Sequence, residues 1–179
     1  MVEATDSGQR RLTRVAERCW IAATALWSLA EATVFVVVPD VMVSAVALRF
    51  GWRAGLAAAL AAAIAAAFGG LLVYLATAQG LIDPVPLFDL LPAISRPLVA
   101  EVFATVQASN WPMAMLQGSF SGIPYKLYAA GAGASGTPLL AFILWSIPIR
   151  LMRFALIAGA VALLRRPILD RLGPRMAMA

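Results

Sequence analysis

Glu31, Asp40, Lys126, Arg150 and Arg153 are formally charged, yet each sits inside a stretch otherwise apolar enough for hydrocarbon. Charge at membrane depth is expensive, so such residues line polar paths, pair with one another or hold a ligand. Arg150 and Arg153 are three positions apart, which puts them on nearly one face of a helix. Two guanidinium groups that close repel unless an anion lies between them. The anion could be the carboxylate of Glu31 or Asp40, giving buried ion pairs, or a phosphate, whose oxygens match the guanidinium fork. Lys126, beside Pro124, Tyr125 and Tyr128, is read as a third positive charge of the same interior site, against the plainer use of a lone lysine as an interfacial anchor. Glu31 and Asp40 serve as counter-ions if ionised and as proton carriers or gates if held near neutrality.

Other chemistries have little material. The chain has no histidine and a single cysteine, Cys19, which excludes an internal disulfide and argues against metal-dependent or Ser-His-Asp catalysis. No metal or other cofactor is expected. Ser119, Ser121, Tyr125 and Asp40 are the groups from which a lipid phosphatase would have to draw a nucleophile or base, and they form no recognisable acid-phosphatase arrangement. The net charge of +5 does not point to nucleic acid, because the arginines flank apolar blocks. Arg10, Arg11, Arg14 and Arg18 precede the first block and Arg165, Arg166, Arg171 and Arg175 follow the last. Positive flanks mark the cytoplasmic side of a membrane segment.

At 62% hydrophobic and 13% charged, with a mean hydropathy of +0.86, the 179 residues fit one helical membrane domain. Its organisation reads as a basic cytoplasmic segment 1–18, apolar blocks 19–48, 54–78, 102–133 and 138–164, a linker 79–100, and a basic tail 166–179. The unbroken apolar continuation past Glu31 predicts a retained segment instead of a cleaved signal peptide. If block 19–48 crossed the bilayer, Arg49 and Arg53 would face outward, against the arginine preference of short cytoplasmic loops. A re-entrant hairpin turning at Pro39 and Asp40 removes that conflict. Residues 54–78, rich in alanine and glycine, predict a spanning helix; Gly69 and Gly70 allow close helix packing there and permit a homodimer. Residues 79–100 carry Pro84, Pro86, Pro92 and Pro97 and read as an interface-lying, irregular linker. Block 102–133 repeats the first pattern from the opposite side, with its break at Pro124, and 138–164 is the second spanning helix. The fold expected is therefore all-α, two inverted repeats of a re-entrant hairpin plus a spanning helix.

The acid-to-Pro-acid run from Glu31 to Asp40, the Gly122-Ile123-Pro124-Tyr125-Lys126 break, Ala129-Ala130-Gly131 and Arg150-Leu151-Met152-Arg153-Phe154 together resemble the DedA superfamily, or VTT (SNARE-associated Golgi protein) domain. The resemblance spans about residues 20–165 and is nearest to short members with Pro-Tyr-Lys in the second hairpin. It implies opposed re-entrant hairpins and movement of phospholipids or of undecaprenyl phosphate between leaflets. It also implies essential acids at Glu31 and Asp40 and a basic residue of the second hairpin at Lys126. Ser119, Phe120 and Ser121 stand where that hairpin would carry a further arginine, and Arg150 and Arg153 are the cations available to substitute. The expected function is that of a flippase or scramblase, not an enzyme. Its site is Lys126, Arg150, Arg153 and Tyr125 on the lipid phosphate, with Glu31 and Asp40 gating its passage or coupling it to protons. The expected location is a bacterial inner membrane with both termini cytoplasmic. A lipid phosphatase and a structural membrane-assembly protein are the alternatives.

Overall fold

In the computed structural model, which describes residues 2–34, 37–89, 91, 94–108 and 110–172, there are eight helices and no strand among the described residues. They are α1 (Val2–Thr33), α2 (Asp40–Phe50), α3 (Trp52–Ala78), α4 (Pro84–Asp89), α5 (Arg96–Gln107), α6 (Trp111–Ser121), α7 (Tyr125–Ser135) and α8 (Leu139–Leu172). Two segments are long and apolar enough to cross a membrane, Trp52–Ala78 and Leu139–Arg165, each 27 residues. At the helical rise each reaches about 40 Å, against a hydrocarbon layer about 30 Å thick.

The centre of the fold is α3, against which α1, α2, α7 and α8 all pack. Its sequence separates by size. Trp52, Leu56, Leu60, Ile64, Phe68 and Leu72 recur every fourth residue and are exposed, while Ala58, Ala59, Ala62, Ala63 and Ala66 are buried. Small residues let neighbouring backbones approach: a Cβ added at Gly55 would lie 2.7 Å from Ala47 Cβ, and one at Gly69 would lie 2.8 Å from Ala32 Cβ. Where α1 crosses α3, Ser28 Oγ donates to the Ala62 carbonyl at 2.8 Å in a fully buried contact. On α8 the exposed residues Leu140, Leu144, Trp145, Met152 and Leu156 form an apolar surface of the kind hydrocarbon covers.

The start of the chain turns back on itself. The Arg49 guanidinium, in the last turn of α2, lies over the Trp20 ring of α1 at 5.9 Å and over Phe50 at 5.6 Å. Arg165 of α8 reaches the same place, donating from Nε to the Leu48 carbonyl at 2.7 Å and from Nη2 to the Arg49 carbonyl at 3.3 Å. These are carbonyls of the last turn of α2, which have no partner within their own helix. Two arginines 116 positions apart thus gather at one end of α2, with Gly51 (φ 91°) making the tight turn into α3.

Several boundaries differ from the sequence reading. Residues 2–18 are not a separate segment, since α1 continues through them without a break. The linker contains the short helix α4 and the start of α5, because Pro97 sits in the first turn, where its missing N–H is not needed, and Ser95 Oγ caps Leu98 N at 3.4 Å. Block 102–133 is not two arms but falls on three helices, α5 ending at Gln107 and α6 starting at Trp111, with the further break at 122–124. Helix α8 runs on to Leu172, past the expected end at 164. Leu90 and Pro92 of the linker, and the tail from 173 onward with Arg175, lie outside the described residues.

Candidate functional site

Two helix breaks and one face of α8 build the site. The first break follows α1, where β-branched Val34, Val37 and Val38 lead to Pro39; valines favour extended backbone, and the residue before a proline disfavours the helical one. Trp27 Nε1 donates to the Val37 carbonyl at 3.0 Å, pulling the break back onto α1. Helix α2 then opens with Asp40, a carboxylate at the positive end of the helix dipole. The second break follows α6, where Gly122 takes a left-handed conformation (φ 88°) and Ile123 N closes onto the Gly118 carbonyl at 3.0 Å. Pro124 is extended, and α7 restarts at Tyr125.

Both breaks face one cavity of about 290 Å3. Pro39 and Asp40 line it from the first, Ser119, Gly122, Pro124 and Tyr125 from the second, Glu31 from α1, and Arg150 and Arg153 from α8. Arg150 lies eleven residues into α8, so about 17 Å along it, near mid-bilayer if the helix spans. Its Nη2 donates to Glu31 Oε2 at 2.7 Å, with the residues only 8% and 4% exposed. Arg153 pairs with Asp40 and also donates to the Ser119 carbonyl, joining α8 to both breaks at once. The Arg150 guanidinium stacks over Tyr125 at 4.6 Å and Phe154 at 5.1 Å, contacts that favour a partly desolvated cation.

Tyr125 is held in turn. Its ring stacks on Phe142 at 5.9 Å, Phe142 stacks on Tyr74 at 5.8 Å, and the Tyr74 hydroxyl donates to the Thr137 carbonyl at 2.5 Å. Gly70 of α3 makes room for this column, since a Cβ there would collide with the Tyr125 ring.

No protein-family model, curated protein or solved structure matches the chain. The chemistry of the site therefore has to be read from its own residues.

The cavity wall brings together Glu31, Pro39, Asp40, Pro124, Tyr125, Arg150 and Arg153, all named from sequence as one site. Lys126 is the exception. It is fully buried and does not line the cavity. Consecutive helical residues point about 100° apart, so with Tyr125 and Tyr128 on the wall Lys126 is turned away from it. Its charge lies behind the wall, near enough to interact with that of Glu31. Sequence reading missed the Ser119 carbonyl as an acceptor for Arg153, the apolar wall residues Met115, Ile149 and Phe154, and Arg165 as a tie between α8 and α2. Only Phe154 carried a signal, through its place beside Arg153.

Polar capacity is left over in the wall. Arg150 Nε and Asp40 Oδ1 are buried and have no hydrogen-bond partner among the described residues, whereas the Tyr125 hydroxyl is buried against Gly70 of α3 and beside Ser146. Arg150 Nε is a donor, and a buried donor without an acceptor is costly. An oxyanion brought into the cavity can accept from it while bridging the two guanidinium groups.

Proposed function

We propose that the chain is a DedA-like integral membrane protein, built as two opposed re-entrant hairpins and two spanning helices. In this reading it moves an anionic, phosphate-bearing lipid such as undecaprenyl phosphate or a phospholipid between leaflets, coupled to a proton. The observation that carries the reading is the meeting of both helix breaks at one cavity whose basic wall is Arg150 and Arg153, each already holding a carboxylate. The gathering of Arg49 and Arg165 at one end supports a first block that enters and leaves on the same, cytoplasmic side of a bacterial inner membrane.

Charge balance gives the mechanism. At rest, two acids neutralise the two arginines on the wall. A lipid phosphate that takes the guanidinium groups displaces a carboxylate, and a displaced carboxylate buried without a partner must take up a proton. Lipid and proton therefore occupy the site together, and release of the phosphate restores the ion pair. Arg153, bonded to both breaks, couples that exchange to their relative position. Lys126, behind the wall, adds long-range attraction for the anion.

Purified protein in liposomes is the test. Leaflet exchange of a fluorescent polyprenyl phosphate or phosphatidylglycerol faster than in protein-free liposomes is the expected result, and equal rates would remove the reading.

The ion pairs themselves favour a second reading, in which the charges only hold the hairpins together. A charge swap, Glu31→Arg with Arg150→Glu, separates the two: the structural role survives the swap, whereas phosphate capture by an arginine at position 150 does not. The phosphatase reading has less support. Ser119, Ser121 and Tyr125 do line the cavity, but among the described residues no hydrogen bond joins any of them to a carboxylate that could act as base.

A further inference from the structure

A second cavity, of about 240 Å3, lies between α6 and α8 and is lined by Asn110, Pro112, Met113, Leu116, Trp145 and Ile149. Apart from Asn110 and the indole N–H of Trp145 its lining side chains are hydrocarbon or thioether. Ile149 is common to this groove and to the charged cavity. At α6 the groove takes Asn110, Pro112, Met113 and Leu116 and the charged cavity takes Met115, Ser119 and Ser121; on α8 the groove takes Trp145 and Ile149 and the charged cavity Ile149, Arg150, Arg153 and Phe154. On both helices the groove borders mainly the earlier residues and the charged cavity mainly the later ones, the two meeting at Met115 and Leu116 on α6 and at Ile149 on α8. The two spaces lie end to end along one seam. Met113 and Trp145, 56% and 51% exposed, bring the groove to the apolar outer surface of the fold.

We propose that the α6/α8 seam is a single amphiphile site, in which the groove holds one hydrocarbon chain of the lipid whose phosphate sits on Arg150 and Arg153. This rests on the phosphate reading of the charged cavity and adds where the chain goes and which way round the lipid lies. The occupant is fixed by continuity. A chain leaving the phosphate at Arg150 passes Ile149, one residue earlier, and meets Leu116, Met113 and Trp145 in line. The bound lipid points its phosphate toward the C-terminal end of α8 and its chain toward the N-terminal end. That is the orientation of a lipid from the leaflet on the side where α8 ends, so this conformation is loaded from the side on which Arg165 and Arg49 gather.

The groove can be filled without disturbing the charged wall, because Met113 is exposed and touches none of the ion pairs. The probe is hexadecyl phosphate carrying a photoreactive diazirine at the chain end, bound to the protein in nanodiscs, with cross-links located by mass spectrometry. Cross-links at Met113, Leu116 or Trp145, competed by unlabelled hexadecyl phosphate but not by hexadecanol, are expected. Met113→Trp should reduce that labelling about tenfold, the effect of keeping roughly two methylenes out of an apolar site. Inorganic phosphate should compete with the probe equally in wild type and Met113→Trp, since the charged wall is untouched. Labelling spread over the exposed face of α3, labelling equally well competed by hexadecanol, or groove labelling unchanged in Met113→Trp would overturn the proposal. Groove labelling in a protein that exchanges no lipid between leaflets would uphold the amphiphile site while refuting transport; exchange without groove labelling would do the reverse.

Discussion

The ion pair between Arg150 and Glu31 is where the chemistry of this protein is most exposed to test. Both groups are almost fully buried, so removing one leaves the other as an uncompensated charge. Arg150→Gln is expected to destabilise the fold by about 3–5 kcal/mol, and the double variant E31Q/R150Q to recover most of that loss, as read by thermal unfolding in detergent. Recovery of stability without recovery of lipid exchange distinguishes a binding role from a bracing one. Ser28→Ala removes a buried hydrogen bond to the Ala62 carbonyl, which keeps its place in the α3 ladder, and should cost only about 1 kcal/mol by the same assay. The charged residues were legible from sequence because their cost in an apolar setting singles them out. Lys126 does not line the cavity, because its position on the helix wheel turns it from the wall, although its charge interacts with that of Glu31.

At the scale of the helices, packing against α3 sets the tolerances. A Cβ at Gly133 would press on the Tyr74 carbonyl and the backbone of Ala78, neither of which can swing aside, whereas one at Gly159 would meet only the edge of the Trp52 ring at 3.3 Å. Gly133→Ala should therefore destabilise by about 1–3 kcal/mol, through overpacking against backbone, while Gly159→Ala is neutral or slightly stabilising because alanine is the better helix former. Thermal unfolding of the two variants side by side checks the contrast. The breaks at Pro39 and Pro124 were readable because proline, glycine and β-branched residues act locally. The start of α6 at Trp111 and that of α5 at Arg96 were not, because Pro112 and Pro97 both sit in first turns, where proline is compatible with a helix. Whether a proline ends a helix or begins one depends on its neighbours' caps, and Ser95 is such a cap.

For the whole molecule, the disposition of the ends is the main expectation. In a Cys19→Ser background, Arg53→Cys and Arg11→Cys should react with a membrane-impermeant maleimide from the same side, and Leu81→Cys from the other, in inverted and right-side-out vesicles. Arg53 and Leu81 flank α3 and are exposed, so opposite labelling means that α3 spans, and common labelling of Arg11 and Arg53 means that the first block returns to its starting side. Composition made legible an all-helical fold with two helices long and apolar enough to cross a membrane, and the structure brings Arg49 and Arg165 together. The convergence of α1, α2, α6, α7 and α8 on one cavity depends on contacts between residues more than a hundred positions apart, such as Arg150 with Glu31, which no local pattern encodes. The central claim is that this cavity exchanges its internal carboxylates for the phosphate of a lipid. Leaflet exchange of a fluorescent polyprenyl phosphate in liposomes, compared between wild type and folded E31Q/R150Q, tests it most directly. The account requires exchange above the protein-free rate in wild type and a return to that rate in the double variant; exchange that persists undiminished in the double variant would contradict it.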